Sequence, residues 1–303
     1  MPAGIQGTVV VDGHEITITN PDKPLWPDIG LTKLQYLECL IKLSPYLLTY
    51  CRNRYLTTIR WPHGVGDKSF YQKNAPEPTP DFVRTEQLNG IRYVVADNLP
   101  TLLWLGNLAC LEFHPSLHYV GSDRPVEWLI DLDPSREAEP RIGHAAWLVG
   151  QALRAIGIES VPKTSGATGV QIYVPIEPRY TFEQLRMIGR FLGEYVTQRY
   201  PELFTLERLK KHRGDRIYFD YLQHWHGKTL SAPYTPRARP GAPLSTPLTW
   251  EECRSLDHPA RYNLLNIQPR LDRVGDLIQQ VPPQNLDHAL DFISRSRRGP
   301  ARP

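Results

Sequence analysis

The chain has 303 residues, 41% of them hydrophobic, enough apolar material for one large domain or two ordinary ones. No apolar run reaches the roughly 20 residues of a membrane span, and the opening stretch MPAGIQGTVVVDGH lacks the charged and apolar regions of a signal peptide. A cytoplasmic protein is therefore expected, with no membrane partner. The net charge of +3 does not by itself announce a nucleic-acid ligand, and the scattered Cys39, Cys51, Cys110 and Cys253 form no Cys-x-x-Cys pair, which argues against disulfides and against zinc.

Residues 8–19 alternate around Asp12-Gly13, a pair suited to a tight turn, and predict an N-terminal β-hairpin. From Thr32 the pattern becomes helical, with Leu34, Leu37, Ile41 and Leu48 in period and an interruption expected near Pro45. Short strands are predicted over 55–60, 69–73, 91–96 and 109–114. An apolar run follows, Val126-Glu-Trp-Leu-Ile-Asp-Leu-Asp-Pro134, which reads as a strand ended by its proline. Two amphipathic helices are predicted, over 141–156 and 182–199, the second introduced by Thr181 and Gln184 at capping-box spacing. Strands are expected at 170–175 and 216–220, and a last helix from Thr249, three residues before Glu252. The final 290–303, with Arg295, Arg297 and Arg298, read as a basic, flexible tail. Trp26, Trp61 and Trp104 have apolar or proline neighbours and read as core.

Hairpins and helices without regular strand–helix alternation predict an α+β fold with helices covering antiparallel or mixed sheets. No repeat and no Gly/Ser-rich linker divides the chain, so residues 1–303 read as one catalytic unit with two sheet-bearing lobes.

Asp131 and Asp133 lie one residue apart on their strand, so their side chains share a face with Cα atoms roughly 7 Å apart. Two carboxylates that close repel unless a cation lies between them, and oxygen donors of this kind suit Mg²⁺ or Mn²⁺, although Asp-x-Asp also occurs in solvated turns. Asp220 closes the apolar run Ile217-Tyr-Phe in the same manner. If the two strands are neighbours, three carboxylates meet at one edge, enough for two divalent ions roughly 3.5–4 Å apart and an in-line phosphoryl displacement. Residues 164–169, Thr-Ser-Gly-Ala-Thr-Gly, are a loop whose glycines admit an anion and whose hydroxyls can donate to it; on spacing alone it is a tight turn, and it is no Walker loop. His224-Trp-His226 offers two imidazoles but no third ligand and reads as a surface loop. Basic residues crowd 210–216 and recur at Lys228, Arg237 and Arg239.

Several motifs, in order, carry a resemblance. They are Thr19-Asn-Pro-Asp-Lys-Pro-Leu-Trp-Pro27, Arg60-Trp-Pro-His-Gly64, Phe70-Tyr-Gln-Lys73, Leu111-Glu-Phe-His114, Asp131-Leu-Asp-Pro134, Ser165-Gly-Ala-Thr-Gly169, Ile217-Tyr-Phe-Asp220 and Lys228-Thr-Leu-Ser-Ala-Pro-Tyr234. From about residue 16 to 255 the chain resembles the polymerase domain of bacterial DNA ligase D and its stand-alone relatives, of the archaeo-eukaryotic primase superfamily. The resemblance implies that superfamily's fold, two mixed or antiparallel sheets flanked by helices with the active site between them.

It further implies that Asp131, Asp133 and Asp220 bind two Mn²⁺ or Mg²⁺ ions, with Mn²⁺ the better activator. His114, Ser165, Gly166, Thr168, Gln171, Arg213, Gln223, Lys228 and Arg237 are implied to hold the incoming NTP or dNTP. Asn20, Lys23 and Lys33, with residues 1–30 as a DNA-end-binding segment, are implied to grip a 5′-phosphate; Phe70 and Tyr71 to stack on template bases; and Arg60 to meet the template backbone. Relatives carry lysine where Thr168 stands and histidine where Gln171 stands, and a basic residue where Ile59 stands.

The implied function is template-dependent addition of NTPs or dNTPs to a DNA 3′-hydroxyl, filling gaps and processing ends in non-homologous end joining in a prokaryote. With no Lys-x-Asp-Gly motif in the chain, Ku and a separate ligase are the expected partners. Three alternatives stay open at this point: a primase that starts strands de novo, an Asp-x-Asp glycosyltransferase, and a non-catalytic end-bridging module.

Overall fold

The alternating run at the N-terminus forms the hairpin β1 (Gln6–Val11) and β2 (His14–Thr19), with Asp12 and Gly13 both at positive φ in its turn. The computed structural model describes residues 6–298. In chain order β3 (Pro24–Trp26), β4 (Leu31–Thr32), α1 (Lys33–Cys51), β5 (Arg54–Arg60), β6 (Phe70–Gln72), β7 (Thr85–Leu88), β8 (Ile91–Val94), α2 (Leu99–Asn107) and β9 (Cys110–Tyr119) follow. Then come β10 (Glu127–Asp133), α3 (Ile142–Ala155), β11 (Val161–Thr164), β12 (Val170–Pro175), α4 (Phe182–Arg199), β13 (Phe204–Thr205), β14 (Ile217–Asp220), α5 (Trp250–Arg254), α6 (Gln268–Val274) and α7 (Asp287–Arg298), with a single 3₁₀ turn at Lys210–His212.

The described chain divides into two compact units. The first runs to Val120 and takes back Thr229–Thr246 and Ala260–Gly275; the second holds Gly121–Lys228, Pro247–Pro259 and the chain from Asp276. Each carries its own five-stranded sheet. In the first unit β5 is central, paired antiparallel with β9, with β6 and with β8, which continues to β7. The order in the second unit is β11-β12-β10-β14-β13, antiparallel except for the parallel pair β13–β14.

Helix α1 starts at Thr32 with a full capping box to Gln35 and runs through Pro45 without a break, contrary to the interruption expected there. Proline removes the amide that would bond the carbonyl of Ile41, and Ser44 Oγ donates to that carbonyl at 2.8 Å instead. Burial of Leu40, Leu43, Leu47 and Leu48 holds the two halves on one core. Helix α2 has no amphipathic signature because nearly every side chain in it is buried, Trp104 among them. Gly106 lets it approach α1: a Cβ there would stand 2.7 Å from a Leu40 methyl. Trp26 is fully buried, with Nε1 donating to the Arg239 carbonyl, whereas Trp61 is half-buried.

In the second unit α4 begins at Thr181 with the Gln184 capping box and lies on the face of the sheet that carries Phe219; a Cβ on Gly193 would meet that ring at 2.9 Å. Helix α5 has the Thr249–Glu252 box. The expected tail is a correction. Residues up to Arg298 belong to α7, because Ala289 and Ile293 are buried and Phe292 packs edge-on against Phe191, while residues 299–303 lie outside those described. Among the described residues no helix is long and apolar enough to cross a membrane.

Candidate metal and nucleotide site

Strand β10 alternates, so Leu132 shares the Phe219 face while Asp131 and Asp133 point to the other. Asp131 is the register partner of Asp220 on β14, and Asp133 of Tyr218. Directly paired antiparallel positions hold their Cβ atoms about 5 Å apart. Three carboxylates separated by up to 89 residues of chain therefore share one face of one sheet. On the other side of Asp131, the register partner is Gln171 on β12, and beyond it Lys163 on β11. A polar row, Lys163–Gln171–Asp131–Asp220, thus crosses four strands.

Each carboxylate has its own surroundings. Asp131 accepts from Gln223 Nε2 at 3.3 Å, and the amide of its register partner Gln171 lies beside it. Burial, then the Asp220 charge, then that of Asp133 push its carboxyl up to about 6 against those two amides. Asp133 Oδ2 accepts from Arg213 Nη1 at 2.8 Å, and the guanidinium lies over the Tyr218 ring. Arg213 is buried and also donates to the carbonyls of Glu207 and Arg208, so its charge faces Asp133. Asp220 Oδ1 accepts from the Tyr218 hydroxyl at 3.1 Å and the Leu222 amide at 2.9 Å. Burial and the Asp220 charge hold the Tyr218 phenol protonated, well above its ordinary range.

Among the described residues no three His, Cys, Asp or Glu side chains stand closed around one point. Asp133 leans to Arg213 and Asp220 to Tyr218. As a donor set they still fit a divalent cation: all are hard carboxylate oxygens on one face, and burial together with the Asp220 and Asp133 charges raises the Asp131 carboxyl, a penalty on its charged form that a cation would relieve.

The loop after β11 is built by its own hydroxyl. Ser165 Oγ accepts the amides of Ala167 and Gly169 at 3.1 and 3.0 Å, and Ser165 N donates to the Gly169 carbonyl. Gly166 sits at φ +68° in the resulting turn, and a Cβ on Gly169 would stand 2.6 Å from the Leu132 carbonyl. Ser165 thus shapes the loop, a role its position in the sequence did not disclose. Thr168 is half-buried on it. Lys228 is exposed at the end of the loop after Asp220. His224 corrects the surface-loop reading: it is buried, and its Nε2 accepts the Leu129 amide of β10 at 2.8 Å, fastening the segment that carries Gln223. Burial holds its imidazole down at about 4, so it is neutral. His226 is exposed as expected.

The remaining candidates lie in the first unit. His114 on β9 meets Glu112, two residues earlier and on the same face, through Nε2–Oε2 at 2.9 Å. Arg237 lies 3.0 Å from the same oxygen, and the Ala238 amide donates to Oε1 at 3.0 Å. Burial alone would push the Glu112 carboxyl up; the His114 bond, the Arg237 and His114 charges and the Ala238 amide overcome it and hold it at about 2. Glu112 was missed in the sequence, although its i+2 spacing to His114 within a strand was a usable signal.

Asn20, Pro21, Asp22 and Lys23 line a small concavity. Asn20 is at φ +50°, the Lys23 carbonyl accepts the Lys33 amide, and Pro21 the Leu34 amide, so the turn is stitched to the first residues of α1. Lys33 is buried, with Nζ on the Thr19 carbonyl at 2.6 Å; burial and the Lys23 charge lower its ammonium to about 8. Phe70 and Tyr71 on β6 are 43% and 72% exposed, unusual for a strand's aromatics. Arg60, the register partner of Phe70, lies under its ring and donates to the Leu108 carbonyl and to Gln72, so it props the ring.

Residues 32–278 match the family model described as LigD, primase-polymerase domain. The chain is 39% identical over 263 residues to the bifunctional non-homologous end joining protein LigD of Bacillus subtilis, covering 86% of this chain and 43% of that protein. It is 27% identical over 275 residues to the multifunctional LigD of Mycolicibacterium smegmatis, covering 88% and 36%. The chain thus spans less than half the length of these relatives. The solved polymerase domain of Mycobacterium tuberculosis ligase D, in complex with DNA, superposes with a TM-score of 0.80 at 26% identity, over 88% of this chain and 97% of that one. By sequence model and by fold, this chain belongs to the LigD primase-polymerase domain family.

Proposed function

We propose that the chain is a template-directed nucleotidyltransferase of the primase-polymerase type, adding NTPs or dNTPs to a DNA 3′-hydroxyl at gaps and broken ends in non-homologous end joining. The observation that carries this is the pairing of Asp131 with Asp220 beside Asp133, on one face at the end of β10. Asp131 and Asp133 would hold both divalent ions, Mn²⁺ or Mg²⁺, and Asp220 would complete the site nearer the primer. Divalent ions held by these carboxylates would supply Lewis-acid activation of a primer hydroxyl and charge neutralisation for a leaving pyrophosphate. Arg213 orients Asp133, and Gln171 and Gln223 flank Asp131. His114 and Arg237, set by Glu112, and Lys228 and the Ser165 loop supply hydrogen-bond donors suited to a triphosphate. Phe70 and Tyr71 offer rings for template bases, a contact worth roughly 1–3 kcal/mol per base. Ku and a DNA ligase activity complete the pathway in this reading.

The primary test is extension of a labelled primer across a 5′-phosphorylated gap with Mn²⁺. Templated incorporation supports the reading; DNA binding without incorporation under any divalent ion favours the end-bridging alternative. Dinucleotide synthesis on an unprimed strand would instead point to a primase.

The Asn20–Lys23 turn and Lys33 are assigned to the 5′-phosphate. A lysine held near 8 is charged at pH 7 and loses its proton as pH rises. The preference for phosphorylated over unphosphorylated gaps should therefore be full at pH 7 and fall between pH 8 and pH 9, checked by competition binding at constant ionic strength. A preference that stays flat to pH 9 would remove Lys33 from this role.

A further inference from the structure

Lys163 has no solvent exposure at all, yet a lysine side chain buried this deeply needs a compensating acceptor. Its Nζ donates to Gln171 Oε1 at 2.6 Å, a short charge-assisted bond between register partners on β11 and β12. That contact decides which way the glutamine amide points. An ammonium cannot accept a hydrogen bond, so the amide oxygen faces Lys163 and the NH₂ group is left for the opposite side. The register partner on that side is Asp131, and the Gln171 amide there works to lower the Asp131 carboxyl against burial. The second amide on Asp131, Gln223 Nε2, comes from a different segment. Between them they fix the carboxylate plane.

We infer that Lys163 is a positioning residue for the metal site: through the Gln171 amide it orients Asp131 so that the carboxylate presents its remaining lone pairs toward Asp133 and Asp220. This rests on the reading of the three aspartates as metal ligands. Partners of ligands in this position typically change metal affinity by 10–100-fold when removed.

The test is direct Mn²⁺ binding, by the loss of the free-ion electron paramagnetic resonance signal, together with the Mn²⁺ dependence of gap extension. Lys163→Met should raise the half-saturating Mn²⁺ concentration about tenfold or more in both measurements. Its affinity for a 5′-phosphorylated gap should stay at the wild-type value. The double variant Lys163→Met/Gln171→Leu fills the strand pair with apolar atoms, which protects folding if the single variant fails. Its Mn²⁺ requirement should match that of Gln171→Leu alone, since the lysine acts through the glutamine. Variants that melt cooperatively and bind Mn²⁺ like wild type overturn the inference, as does a double variant whose two effects simply add. Asp133→Ala separates the two levels: if it too binds Mn²⁺ as wild type does, the metal reading itself falls; if it loses the ion while Lys163→Met keeps it, only the role of Lys163 falls.

Discussion

Asp131→Asn should abolish primer extension, by a factor on the order of 10²–10³ or more, while leaving affinity for gapped DNA near the wild-type value. The same substitution should stabilise the fold. In the native protein burial and the charges of Asp220 and Asp133 hold the Asp131 carboxyl at about 6, above its unfolded value of 3.8, so the ionised form is disfavoured by folding. A raised carboxyl pKa subtracts stability at neutral pH and returns it as pH falls through 6 toward 4. Asparagine keeps the shape and carries no charge, and the expected gain at pH 7 is about 1–2 kcal/mol. Melting in metal-free buffer at pH 7 and pH 4.5 checks this: the variant should exceed wild type at the higher pH and lose its advantage at the lower. An inactive variant no more stable than wild type would mean that the three carboxylates are not in mutual repulsion, and the case for a cation among them would weaken. Added Mn²⁺ should stabilise wild type and leave Asp131→Asn little changed.

Glu112→Ala should be the most destabilising single change near the candidate nucleotide residues. It removes the acceptor of His114 Nε2, the counter-charge of Arg237 and the partner of the Ala238 amide, all within a buried pocket. Breaking a buried pair from one side costs about 3–5 kcal/mol, because the abandoned charge stays desolvated. The pH dependence has the opposite sign to that of Asp131. The Glu112 carboxyl is held at about 2, below its ordinary 4.5, so its contribution is complete above pH 4.5 and is lost as pH falls toward 2. Acid unfolding of wild type should therefore show a component in that window which Glu112→Ala lacks. Denaturant titration at pH 7 measures the first effect, and the same titration at pH 3 the second. With the Glu112 contacts to His114 and Arg237 removed, the KM for nucleotide should rise more than kcat falls; a variant with wild-type stability and KM would remove Glu112 from the site.

Patterns with a strong local cause were legible in the sequence. Asp12-Gly13 set the hairpin, Thr181 with Gln184 and Thr249 with Glu252 set helix starts, and alternation placed Asp131 and Asp133 on one face. The pairing of β10 with β14 was only conditional, because strand neighbours far apart in sequence leave no local trace. Helix α2 escaped notice because it buries nearly all of its surface and shows no polar stripe, and Pro45 was misread because Ser44 takes the bond that proline frees. Side-chain duties were hardest to foresee. Ser165 accepts loop amides, Arg213 faces Asp133, and His224 bonds a strand amide from a segment that reads as exposed loop. In each case the partner is fixed by the fold and not by neighbours in the chain.

The interleaving of the two units carries a practical consequence. The polypeptide leaves the first unit after Val120, re-enters it at Thr229 and again at Ala260, and finishes in the second. Neither half can be produced by a single cut. A fragment ending at Val120 would contain Glu112 and His114 but would lack Arg237 and Ala238, so an acidic side chain meant for the interior would emerge with His114 beside it but without the guanidinium and the amide that complete its setting. Proteolytic nicking between residues 229 and 246 should accordingly disable a unit whose remaining strands are intact, and any attempt to exchange one unit between relatives must carry all three of its segments together.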